Sequence, residues 1–213
     1  MTTLDRLIAS WRASPDGRVF SEGATASELE VFEARAGWKL PTEWRELYAI
    51  TNGVVLGTWM ELYPLLGEAS LLNGHQYWPQ RLNWPVIPED LWIAGWSEGE
   101  GEWARQFGLW LPSATDKVGP VVEMHAKGGL AVAGNSLIAF LVACTTYDLI
   151  SFNAPVAAFD ALGVPHELRH DDSPEAWVAI RRWADPDLPG GEYLSEEPAL
   201  DAKAIMELLG SRR

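Results

Sequence analysis

Leu4, Leu7, Ile8 and Trp11 recur at three- and four-residue spacing, which is one face of a helix over residues 4–13. Ser14-Pro15-Asp16-Gly17 supplies the turn chemistry that ends it. Thr25-Ala26-Ser27-Glu28 is a capping box: the Thr25 hydroxyl takes a free amide of the first turn while Glu28 reaches back. Leu29, Phe32 and Ala36 continue that helix, and Gly37 stops it. Leu40-Pro41-Thr42 opens a third helix with Trp44, Leu47, Tyr48 and Thr51 on one side. Asn52-Gly53 closes it, since both residues tolerate positive φ.

From residue 54 the pattern shortens to strands and loops. The runs 59–63, 91–96, 107–111 and 120–125 are rich in strand formers, and Lys127-Gly128-Gly129 is a hairpin turn into Leu130–Ala133. Segment 67–90 is predicted as a long loop, ordered by its aromatics. Asn135 is the predicted cap of an apolar, buried helix running to about Thr145. Asn153-Ala154-Pro155 starts a short helix ending at Gly163. Ser173-Pro174 starts another, with Trp177, Ile180 and Ala184 on one face, because proline costs nothing in a first helical turn. Leu200, Ala204, Ile205 and Leu208 mark a last helix. Helices, then strands, then helices again predict an α+β fold: a twisted, mostly antiparallel sheet with helices packed outside and a helical C-terminal extension. Trp44, Leu47, Tyr48, Ile93, Val121, Leu137 and Leu141 are expected to share one core.

Composition sharpens this picture in two places. The chain has 213 residues, 47% hydrophobic and 22% charged, as expected of a globular protein that builds a core without staples. Its 30 acidic and 16 basic residues leave a net charge of −14. Such a surface repels phosphates and anionic lipid, so nucleic acid and membranes are not expected partners and a cationic protein is. One cysteine, Cys144, leaves no internal disulfide and suits a reducing compartment. With no signal-like N-terminus and no apolar run beyond Leu137–Cys144, the expected location is the cytoplasm. Twelve tryptophans are the second oddity, seven of them between Trp59 and Trp110.

The order Glu28-Leu29-Glu30-Val31-Phe32-Glu33, Gly37-Trp38-Lys39-Leu40-Pro41, a helix with Trp44 and Leu47-Tyr48, then Asn52-Gly53 resembles the first third of the SUKH superfamily. That superfamily comprises bacterial toxin-immunity proteins and the fungal cell-wall-synthesis regulator. Ile93–Trp96 resembles its central strand, and Val121-Val122 followed by Asn135-Ser136-Leu137 and Phe140-Leu141 resembles its closing strand and helix. The resemblance covers residues 25–147. It implies a SUKH-like domain over 1–150 with the extension 151–213 packed on it, and an activity of binding and blocking a toxin domain without catalysis. An adaptor or regulatory role is the alternative, by analogy with the fungal member. Neither cofactor nor metal is implied, and the expected state is a monomer or weak dimer.

Glu98-Gly99-Glu100-Gly101-Glu102-Trp103 is the least ordinary local composition. Three carboxylates in five residues repel one another and stay exposed. The stretch is either an anionic finger for a basic cleft, with Trp103 as anchor, or a plain acidic loop between strands. A calcium site is disfavoured because EF-hand spacing is absent. The expected partner-binding residues are Trp84, Glu89, Asp90, Glu98, Glu100, Glu102 and Trp103.

His166-Glu167-Leu168-Arg169-His170 is literally H-E-x-x-H, which on a long helix binds zinc and activates water. Pro165 and Pro174 leave room for two turns at most, so a zinc hydrolase is the lesser alternative and a polar surface turn the plainer one. Gly95-Trp96-Ser97-Glu98-Gly99 matches the nucleophile elbow, yet Glu98-Gly99-Glu100-Gly101 is a poor helix start. Cys144 is expected to be inert packing, and Asp171-Asp172 to cap the next helix.

Overall fold

The computed structural model describes residues 1–14, 19–56, 60–73, 91–97, 105–110, 120–125, 130–171 and 173–188. Three helices come first, α1 (Thr3–Ala13), α2 (Ala26–Ala36) and α3 (Thr42–Ile50), with a two-residue strand β1 (Val19–Phe20) between α1 and α2. Six strands follow: β2 (Val54–Leu56), β3 (Met60–Leu62), β4 (Leu91–Ser97), β5 (Arg105–Trp110), β6 (Val121–His125) and β7 (Leu130–Gly134). The helices α4 (Leu137–Ser151), α5 (Val156–Leu162) and α6 (Pro174–Ala184) close the described chain, with a 3₁₀ turn at His166–Leu168. The fold class is α+β, as the segregated pattern predicts.

Local chemistry sets the helix ends. Thr25 and Glu28 form the predicted box in both directions, at 3.2 and 2.7 Å. Thr2 and Asp5 form a second one on α1. In both boxes the backbone N–H of the cap residue holds the carboxyl below its usual range. Gly37 and Gly163 take left-handed backbone, with φ of 79° and 80°. Two caps differ from expectation. Asn52 has ordinary backbone; among the described residues Asn153 is the non-glycine residue with positive φ. The Asn52 side chain instead accepts the Leu65 N–H at 2.9 Å, so it ties the loop after β3 to the end of α3. The cap of α4 is Ser136, whose hydroxyl accepts from Ala139, and α4 runs on to Ser151 because Leu149 and Ile150 still reach the core.

The seven described strands form one sheet in sequence order, every neighbour antiparallel. Residues paired across strands point to the same face. One row runs Phe20, Val54, Leu62, Gly95, Phe107. Phe20 meets Trp11 of α1 at 5.7 Å and Phe107 meets Phe140 of α4 at 4.9 Å, so this face carries the helices. Gly95 has no alternative in this row: a Cβ there would collide with the Phe107 ring and the Glu61 carbonyl.

The core lies between that face and the helices. It includes Trp44, Leu47, Tyr48, Val121, Leu137 and Leu141, as expected. It also takes in Phe159, Leu162 and Ile180 from the C-terminal helices, and α5 packs against α1. Ile93 departs from the expected core: it is fully buried, but on the reverse face with Val122 and Val132, outside the main cluster. The cause is a bulge between Ile93 and Gly95. One extra residue inverts the in-out alternation, so Ile93 aligns with Gly108 instead of sharing the Gly95 face.

No helix among the described residues is long and apolar enough to cross a membrane. The predicted turns at 15–17 and 127–129 and the helix around 200–208 fall outside the described residues.

Candidate functional site

The seven expected partner-binding residues, Trp84, Glu89, Asp90, Glu98, Glu100, Glu102 and Trp103, lie outside the described residues. Their flanks are described. Ser97 pairs with Arg105, so the acidic stretch begins and ends at adjacent strand ends. Segment 74–90 enters β4 at Leu91, which pairs with Trp110. Leu91 and Ser97 are opposite ends of a seven-residue strand. At about 3.3 Å per residue they stand roughly 20 Å apart. The two halves of the expected surface are therefore attached to opposite ends of β4.

The tryptophan cluster divides as well. Trp92 aligns with Leu109 on the helix face and packs edge-on with Trp38 at 5.1 Å and Phe32 at 6.4 Å. Trp96 lies on the reverse face, where its Nε1 donates to Glu61 Oε2 at 2.8 Å across the β3–β4 pair. An unbroken strand would put residues 92 and 96 on one face; the bulge separates them. Val55, Glu61 and Trp96 form a cross-strand row on the reverse face, with Val55 39% exposed and the other two half-buried. That face is open at this row and apolar at Ile93, Val122 and Val132.

The geometry bears on each catalytic alternative. Ser97 ends a strand, and the next described element is the antiparallel strand β5, whereas a nucleophile elbow needs a helix there. His166-Glu167-Leu168 is a single 3₁₀ turn with Pro165 as its cap, not the α-helix of the metalloprotease motif. The exposed rings of His166 and His170 meet edge-on, Nε2 to Nε2 at 3.5 Å. No group of three or more metal-ligating side chains occurs among the described residues. Cys144 is half-buried on α4. Asp171 accepts from both the backbone N–H and the hydroxyl of Ser173, and Ser173 is the cap of α6.

A buried polar junction lies where β7 turns into α4, and no motif announces it. Asp185 accepts the Asn135 backbone N–H at 2.6 Å and its side-chain amide at 2.9 Å. One turn earlier, Arg181 is buried and donates from Nη2 to the carbonyls of Val132 and Ala133. From α3, Glu43 accepts the Leu137 N–H at 3.0 Å, a free amide of the α4 first turn. Burial pushes the Glu43 carboxyl up, against the pull of its bonds to Leu137 and Ser136, and the nearby Asp185 and Glu46 carboxylates add to the rise. Burial likewise pushes the Tyr48 phenol up, while its hydroxyl donates to the Tyr63 carbonyl at 2.9 Å. Only the i, i+4 spacing of Arg181 and Asp185 could have hinted at this junction.

The raised Glu43 carboxyl has a measurable consequence. A carboxyl raised by folding adds stability when protonated and loses it as pH rises through its folded value. Glu43→Gln keeps an oxygen for the Leu137 N–H and removes the charge. Its stability relative to wild type should therefore improve between about pH 4 and pH 7, the range above an ordinary glutamate. Urea unfolding at several pH values checks this. A relative stability that falls as pH rises would mean that the carboxylate charge itself supports the helix end.

No protein-family model matches the chain, and neither does any curated protein.

Proposed function

We propose that the chain is a non-catalytic immunity protein of the SUKH type that binds a cationic bacterial toxin domain in the cytoplasm and blocks it. The observation that carries this reading is the placement of charge. Residues 53–104 hold seven carboxylates and one base, Arg81, a net of −6 within a chain of −14. Domains that hold phosphates, as nuclease toxins do, present basic clefts, and a string of carboxylates can occupy such a cleft in place of the phosphate backbone. The motif order over residues 25–147 and the α+β class support the same reading. In sequence, Glu98, Glu100, Glu102 and Trp103 lie between Ser97 and Arg105, which are paired across β4 and β5. Charge pairing there speeds encounter and weakens with salt, and a seated tryptophan slows release.

The test is a search of the neighbouring genes for a toxin domain, then co-expression with the domain found there and binding kinetics across salt. The wild type should protect cells, and its association rate should fall as salt rises. A Glu98→Lys, Glu100→Lys, Glu102→Lys variant should stay folded and lose association rate by about tenfold or more. Full protection and an unchanged rate would move the interface off this stretch. Failure of the wild type to bind or protect would overturn the immunity reading itself.

A further inference from the structure

The histidine pair after α5 has no part in the immunity reading. His166 and His170 are exposed, yet their rings meet edge-on with centroids 4.8 Å apart and planes at 67°. The two Nε2 atoms are 3.5 Å apart. Two imidazole nitrogens at about 2.0–2.1 Å from one ion, with an angle near 110–120° between them, stand roughly 3.3–3.6 Å apart. The observed spacing matches the bite of a two-imidazole chelate; without a metal the same contact is a hydrogen bond between the rings, its direction set by their tautomers.

The backbone between the rings is fixed by contacts that do not involve them. Pro165 starts the 3₁₀ turn, which Leu168 closes onto the Pro165 carbonyl at 3.1 Å. The Arg169 N–H donates to the His166 carbonyl at 3.2 Å. The Arg169 guanidinium, half-buried, clamps the Val164 carbonyl through Nε and Nη2 and pairs with Asp160 at 2.8 Å through Nη1. A backbone held this way loses little freedom on binding, so less of the coordination energy goes into ordering it. Imidazole nitrogen selects borderline ions such as zinc, nickel and copper over calcium and magnesium.

We propose that His166 and His170 together chelate one divalent transition-metal ion at the surface, with its remaining positions open to water or to a donor on another molecule. This differs from the metalloprotease motif, since a 3₁₀ turn replaces the helix and Glu167 gains no defined place beside the ion. It is also independent of the immunity reading.

Calorimetric titration of the metal-free full chain with zinc tests it. One saturable site per chain is expected. His166→Ala and His170→Ala should each weaken it on the order of a hundredfold, because losing one arm makes binding monodentate. A His75→Ala, His125→Ala double variant, which removes the other two histidines, should bind as the wild type does. With copper(II), electron paramagnetic resonance should report two equatorial nitrogens in the wild type and one in His170→Ala. No saturable zinc site, or a site indifferent to His166→Ala and His170→Ala, would overturn the proposal. In that case the contact between the two rings is a hydrogen bond and nothing more.

Discussion

Replacing Trp44 with alanine is expected to cost about 3–5 kcal/mol of folding stability, the range for truncating a large aromatic in a packed core. Trp44 is 1% exposed and sits on α3 beside Leu47 and Tyr48, both fully buried. Its volume lies in the cluster that joins the first three helices to the sheet and to α4. Neighbours from several elements cannot all move in, so most of the vacated space stays a void. For a chain of this size, 1 kcal/mol corresponds to roughly 2–4 °C in melting temperature. Trp44→Phe should recover more than half of the loss. An unchanged denaturation midpoint for Trp44→Ala would contradict the packing described for α3.

Arg181→Met should destabilise the protein by about 3 kcal/mol and make it self-associate. β7 is the last strand of the described sheet, and Arg181 of α6 covers its carbonyls at Val132 and Ala133, where an uncovered strand edge would be a template for another chain. Arg181, 4% exposed, donates to the carbonyls of Val132 and Ala133. Methionine keeps most of the volume but has no donor, so both carbonyls lose a charge-assisted bond, each worth roughly 1–3 kcal/mol to a buried partner. Arg181→Lys should recover only part of the loss, because one ammonium on a flexible stem replaces a planar fork. Denaturation and light scattering together separate the two effects. A Met variant as stable and as monodisperse as wild type would show that the guanidinium does not guard this edge.

The helix ends were legible because they are made by residues close in sequence. Thr25 with Glu28, Gly37, Gly163 and Ser173 with Pro174 need only their own turn to act. The central strands were legible from composition, but β1 and β2, two and three residues long, are too short to carry a period. The site was far less legible. The expected binding residues form a contiguous-looking run from 84 to 103, yet β4 separates the attachment points of its two halves.

Short-range spacing and the solvent preference of side chains were enough to settle the α+β class, the Thr25–Glu28 capping box and the apolar faces of α1, α3 and α4. The face that each strand residue takes was settled by tertiary packing. The bulge at Ile93–Gly95 sends Trp92 to the helix face, packed against the core with Phe32 and Trp38, and Trp96 to the reverse face with Glu61. Tertiary packing also moved the α4 cap from Asn135 to Ser136, because Asp185, 50 residues away, claims Asn135. In both cases the deciding partner is distant in sequence, and a strand has no local rule that fixes where an extra residue enters the ladder.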